Sequence, residues 1–155
     1  MKLTSSAFTH QTSLPSRYTC DGKNVSPPLT WSEIPPATQS LVLIMDDPDA
    51  PGGTWDHWII FNLPPNLNSL PEGINQFPSG TKLGKNSWGQ TEYGGPCPPD
   101  RQHRYFFKLY ALNTVLDLPP GASKSQIQQA LKGKIIEKTE LIGLYARPGQ
   151  KAWNH

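Results

Sequence analysis

The chain has 155 residues, a formal net charge of +2, 17 prolines, 13 glycines and two cysteines. That length suits one domain with a real core, read as spanning 1–155, and is short for two. Basic residues such as Lys82, Lys85, Arg101, Lys108, Lys132, Lys134, Lys138 and Lys151 are scattered, so no tract follows a phosphate backbone and nucleic acid is excluded as a partner.

Taken in chain order, the amino-terminal MKLTSSAFTHQTSLPSRYTC lacks the unbroken apolar segment of a secretory signal. No later run approaches the roughly 18 apolar residues of a membrane span, so the chain reads as cytoplasmic with no transmembrane segment. Cys20 sits in the turn-forming CDGKN, and NVSPPL gives an extended lead into a strand. With Cys97 it makes a pair too small for a disulfide framework and without zinc-ligand spacing; both read as reduced thiols, one bridge being left open. SLVLIM (40–45), HWIIFNL (57–63), RYFFKLYAL (104–112) and ELIGLYAR (140–147) read as strands. The proline-rich stretches 64–78 and 93–102 are too short to hide a domain boundary. SKSQIQQALKGKIIEK (123–138) reads as one amphipathic helix: Ser123 caps it, Gln126 completes a capping box, and Ile127, Ala130, Leu131 and Ile135 recur at helical spacing. The sum is a mainly β fold, an antiparallel β-sandwich with Greek-key connections, one or two short peripheral helices at its edge, and a pocket at one end.

Between the first two strong strands lies MDDPDAPGGTWDH, unusually charged for its surroundings. Side chains alternate along extended backbone, so Asp47 and Asp49 share one side and Asp46 and Pro48 the other. The same rule sets Trp55 with His57, opposite Asp56 and Trp58, and His103 with Tyr105, opposite Arg104. Two histidines, one or two carboxylates, a tyrosine and a tryptophan then meet beside GGPCPP (94–99), whose glycines permit close backbone approach. The X-Pro bonds of DPDAP are candidates for a cis peptide in a tight turn. Asp46, Asp56 and Arg104 read as structural or surface residues, and Trp31, Trp58 and Trp88 as packing.

DPDAP, the following aromatic-x-His, GPCPP and HRYFF together resemble the phosphatidylethanolamine-binding proteins, also called Raf kinase inhibitor proteins. The chain is most similar to their short bacterial and archaeal branch, marked by YTCDGKNVSPPLTW (18–31), GGPCPP and ELIGLYAR; the likeness runs from residue 3 to about 147. It implies that Asp47, Pro51, Trp55, His57, Gly95, Cys97, Pro98, His103 and Tyr105 line an anion-binding pocket, with Asp49 orienting the loop or touching the ligand. The implied partner is a small anionic ligand, a phosphoethanolamine-type headgroup or a phosphorylated group. The resemblance further implies a regulator or inhibitor of a kinase or protease and, from bacterial members, a homodimer; no cofactor is implied. One departure is that the second glycine of the animal loop is Cys97 here.

Phosphate oxygens need donors, which the two histidines, the Tyr105 hydroxyl and loop N–H groups supply. The aspartates then organise donors rather than bind the anion. On this reading, histidine replacements weaken binding without harming the fold, and acid tightens it. Two other classes compete. A hydrolase would use Cys97 or an activated water with His57 or His103, without a nucleophile motif to support it. A metal site of two His and two Asp ranks last, since no HxxxH or HExxH spacing accompanies it.

Overall fold

The computed structural model describes residues 1–152. Among them are nine strands: β1 (Lys2–Thr4), β2 (Thr12–Ser13), β3 (Leu29–Ser32), β4 (Ser40–Asp47), β5 (Trp55–Leu63), β6 (Ser69–Leu70), β7 (Lys82–Leu83), β8 (His103–Leu112) and β9 (Ile135–Tyr145). One α-helix, α1 (Lys124–Leu131), and a 3-10 turn at Ser16–Tyr18 complete the regular structure. No helix among the described residues is long and apolar enough to cross a membrane.

The larger sheet runs β2-β9-β8-β4-β5-β7 and the smaller β1-β3-β6. Every residue of β4 is buried, which is why its sequence is apolar on both faces rather than alternating. Leu41, Leu43 and Met45 join Leu3, Leu29, Trp31 and Leu70 of the smaller sheet in one core, whereas Val42 and Ile44 point the other way, to Ile59, Phe61, Ile127 and Leu131. The mainly β fold is as expected, with one difference in pairing. β2 lies parallel to β9, so the larger sheet is mixed and not wholly antiparallel. The chain there runs alongside β9 rather than turning back from it, held by Gln11 N to Ile142 O at 2.7 Å and Leu14 N to Leu144 O at 2.7 Å.

The helix starts as its sequence dictates: Ser123 Oγ accepts from Gln126 N at 3.1 Å, and Gln126 Oε1 accepts from Ser123 N at 2.8 Å. It ends early. Gly133, at φ +74°, stands in the left-handed region just beyond the helix end. Ile135 then opens β9 opposite Leu112, since β-branched residues favour the pleated surface. The helix also lies on the outer face of the larger sheet rather than at a sandwich edge. Ile127, fully buried among Val42, Ile44, Ile59 and Phe61, is its anchor. Ile127→Ala is expected to cost about 2–5 kcal/mol in urea denaturation; a loss below about 1 kcal/mol would contradict this role for the helix.

No peptide bond among the described residues is cis, so the expected cis X-Pro bond in DPDAP is absent. The reversal is made instead by Asp47, whose Oδ1 accepts from Asp49 N at 2.8 Å, and by Gly53 at φ +110°.

Candidate functional site at the end of the larger sheet

β4 runs into the site with Asp47, β5 leaves it with Trp55 and His57, and β8 begins in it with His103 and Tyr105. Because these central strands are antiparallel, all five residues fall at the same end of the sheet. The register contains a local irregularity that aims one of them. Met45 pairs with Trp58, and the next pair is Asp46 with Asp56, so His57 is the extra residue of a β-bulge. Strict alternation would set Trp58 opposite His57. The bulge instead lets Trp58 enter the core beside Met45 while His57 faces the site.

There a cavity of about 270 Å³ is lined by Asp47, Ala50, Pro51, Trp55, His57, Trp88, Cys97, Pro98, Pro99, His103 and Tyr105. Eight of the ten residues expected from the sequence are therefore together, and two lie outside. Asp49 turns away from the cavity and clamps Arg104, accepting from its backbone N at 2.9 Å, Nε at 2.9 Å and Nη2 at 2.8 Å. Those hydrogen bonds hold the Asp49 carboxyl below its usual range. Gly95 packs behind the wall, its N–H donating to Asn24 Oδ1 at 3.0 Å. A Cβ there would collide with that oxygen and with the backbone of Tyr18 and Thr19, so glycine serves a close approach rather than ligand contact.

The polar groups divide by what they already hold. His103 is hydrogen-bonded at both ring nitrogens, Nδ1 with Asp47 Oδ2 and Nε2 with Asp100 Oδ1, each at 2.7 Å. Both ring nitrogens are thus already engaged by carboxyl groups and neither is left over. His57 donates from Nδ1 to the Gly94 carbonyl at 2.6 Å, which leaves Nε2 as an acceptor. Burial pushes the His57 pKa down, so the ring is neutral and its charging, expected to tighten binding in acid, is displaced to lower pH. The Tyr105 hydroxyl differs from these: it is buried and has no hydrogen-bond partner among the described residues. Burial and the neighbouring Asp47 carboxylate raise its pKa, so it remains a donor.

Cys97 is joined to Cys20 in a disulfide, with the Cα atoms 5.4 Å apart. This overturns the reading of both cysteines as reduced thiols, and with it Cys97 as a hydrolytic nucleophile. The bridge, Cys20 N donating to Pro96 O at 3.1 Å, and the Asn24 contact tie loop 94–99 to residues 18–24. Asp46 points to the opposite face, to Lys108 at 3.1 Å and Lys124 at 3.2 Å, and Asp56 meets Lys124 at 2.6 Å, the structural role read from alternation.

Besides Ala50 and Pro99, which also line the cavity, Trp88 and Asp100 were missed. Trp88, read as packing, lies against Gly94 with no room for a Cβ between them. It meets His57 edge-on at 5.1 Å and Trp55 at 5.5 Å, and stays 46% exposed. A tryptophan in the polar loop NSWGQ (86–90), far from any apolar run, was the available signal. Asp100, three residues before His103, was hidden in a proline-rich loop.

Two sheets sharing a core, with a recess of histidine and aromatic rings where three antiparallel strands end, define a class of small β proteins that carry their site at a sheet end. The family described as phosphatidylethanolamine-binding protein matches residues 4–146, and the chain belongs to it. A UPF0098 protein of Methanothermobacter thermautotrophicus is 51% identical over 150 residues, covering 95% of this chain and 99% of the relative. Another from Aquifex aeolicus is 46% identical over 152 residues, with 95% and 89% covered. Among solved structures, a phosphatidylethanolamine-binding protein homologue from Chlamydia trachomatis superposes with a TM-score of 0.89 at 43% identity, covering 94% of this chain and 96% of that one. YbcL of Escherichia coli, described as a member of the mammalian family, gives 0.86 at 32% identity, with 93% and 96% covered.

Proposed function

We propose that the chain is a binding module, not an enzyme, and that its cavity takes a small phosphate-bearing ligand such as a phosphoethanolamine-type headgroup. The observation that carries this reading is the Tyr105 hydroxyl, buried in the cavity wall without a partner. A buried donor left unmade is costly, and an acceptor oxygen from a ligand would satisfy it. Trp55, Trp88 and the Asp47 carboxylate supply faces and charge suited to an ammonium group on the same ligand. A phosphorylated side chain offers the same oxygens, which is how the cavity would serve regulation of a protein target.

Tyr105→Phe tests this with little disturbance, since the removed hydroxyl makes no hydrogen bond of normal geometry inside the protein and only neighbours the Asp47 carboxyl. Its urea midpoint is expected to match or exceed that of the parent. Calorimetric affinity for glycerophosphoethanolamine is expected to fall about tenfold or more, the loss of one hydrogen bond to a charged group. Unchanged affinity would overturn the assignment of phosphate to this cavity.

A further inference from the structure

The charge balance of the cavity poses a difficulty for any anion. His103 is buried and both its nitrogens are committed to carboxylates, so an incoming phosphate meets Asp47 and Asp100 before it meets a free N–H. The two carboxylates are not equivalent. Asp47 is buried at the end of β4 and is also fixed by Asp49 N at 2.8 Å. The Asp100 side chain is 49% exposed and stands on a loop directly after Pro98 and Pro99, which line the cavity.

The loop itself is fixed by contacts that do not use the Asp100 carboxylate. Gln150 Nε2 donates to Pro98 O at 2.6 Å, Gln102 N donates to Lys151 O at 2.9 Å, and the Cys20–Cys97 bridge holds its start. The carboxylate can therefore leave His103 while the loop stays in place. Among the described residues its local partners are the backbone N–H groups of Arg101, at 2.9 Å to Oδ1, and of Asp100 itself.

A carboxylate oxygen and a phosphate oxygen accept from an N–H at the same distance and with the same charge assistance. Resting on the reading that the cavity takes phosphate, we propose that Asp100 is a built-in anionic competitor for the ligand's phosphate, setting the affinity and selectivity of the cavity by occupying His103 Nε2. Binding is then an exchange: Asp100 turns to solvent, a phosphate oxygen accepts from Nε2, and the Tyr105 hydroxyl donates to the same group. Because Asp100 is tethered, it competes at high effective concentration. A simple carboxylate offers nothing Asp100 does not, whereas a phosphate adds oxygens that reach Tyr105. The competitor thus selects for phosphate and keeps resting affinity modest.

The test titrates inorganic phosphate and glycerophosphoethanolamine separately into the parent, Asp100→Ala and Asp100→Asn, which distinguishes free phosphate from a headgroup as the source. Asp100→Ala is expected to bind both probes about fivefold to tenfold more tightly, the scale of releasing one partly screened hydrogen bond to a charged group. Asp100→Asn keeps an oxygen for Arg101 N and for Nε2 but no charge, and is expected to show a smaller gain. If the alanine variant is not folded by circular dichroism, the asparagine variant decides, and no tightening in it overturns the proposal. A folded Asp100→Ala that binds equally or more weakly, as it would if Asp100 received the ammonium group, also overturns it while leaving the phosphate site standing. No binding of either probe by any of the three proteins overturns both.

Discussion

His103→Ala is expected to destabilise the fold by about 3–5 kcal/mol in urea denaturation, because it strands the buried Asp47 carboxyl without its hydrogen-bonded side-chain partner. Asp47 is 3% exposed and its Oδ2 lies 2.7 Å from His103 Nδ1. The remaining bond from Asp49 N satisfies one oxygen but supplies no charge. Removing both partners should cost much less than the sum of the single replacements, so Asp47→Ala combined with His103→Ala is expected to recover part of the loss. A single variant within about 1 kcal/mol of the parent would mean that the pair is not coupled as its geometry indicates. This prediction is opposite to the sequence-based expectation that the histidine can be removed without harm to the fold, and the denaturation midpoint decides between them. A loss of binding in His103→Ala says little about ligand contact unless folding is measured beside it.

Replacing both cysteines by serine is expected to cost about 4 kcal/mol. The bridge closes a loop between residues 77 apart in sequence, and the chain entropy it removes from the unfolded state grows with the logarithm of that length. Urea midpoints of the oxidised parent, the reduced parent and the Cys20→Ser, Cys97→Ser double variant measure it. The last two should agree with each other and fall below the first. A parent whose midpoint ignores reductant would show that the hydrogen bonds of Asn24 and Pro96 hold the two loops without the bridge.

Long apolar runs made β4, β5, β8 and the second half of β9 legible, because each buries enough contiguous side chain to dictate its residue types. β1, β2, β6 and β7, two to three residues each, carry too little sequence for any period to emerge and exist through their pairing partners. The helix was extended too far for a related reason. Ile135 continues the 3.6-residue spacing from Leu131, and only the pairing of β9 with β8 decides that it belongs to a strand. At the site, alternation brought Asp47, His57, His103 and Tyr105 together correctly because they lie on or next to strands. Asp49, Gly95, Trp88 and Asp100 sit in loops, where side-chain direction depends on turns and long-range contacts. The Cys20–Cys97 bridge is of the same kind, since sequence separation says nothing about whether two Cα atoms approach to 5.4 Å.

The bulge at His57 makes two neighbouring spacings differ in their tolerance of insertion and deletion. The turn from Pro48 to Thr54 ends where Trp55 rejoins Asp47, and a residue gained or lost at its exposed tip can be absorbed by the turn. Between Trp55 and Trp58 no such slack exists. Losing one residue there would abolish the bulge and restore strict alternation, so that a ring at position 57 and Trp58 could no longer face inward together. Within the family, length variation should therefore gather on the glycine side of Trp55 and stop at it, so that in this segment the interval between two tryptophans is a stricter record of ancestry than the identity of the residues it contains.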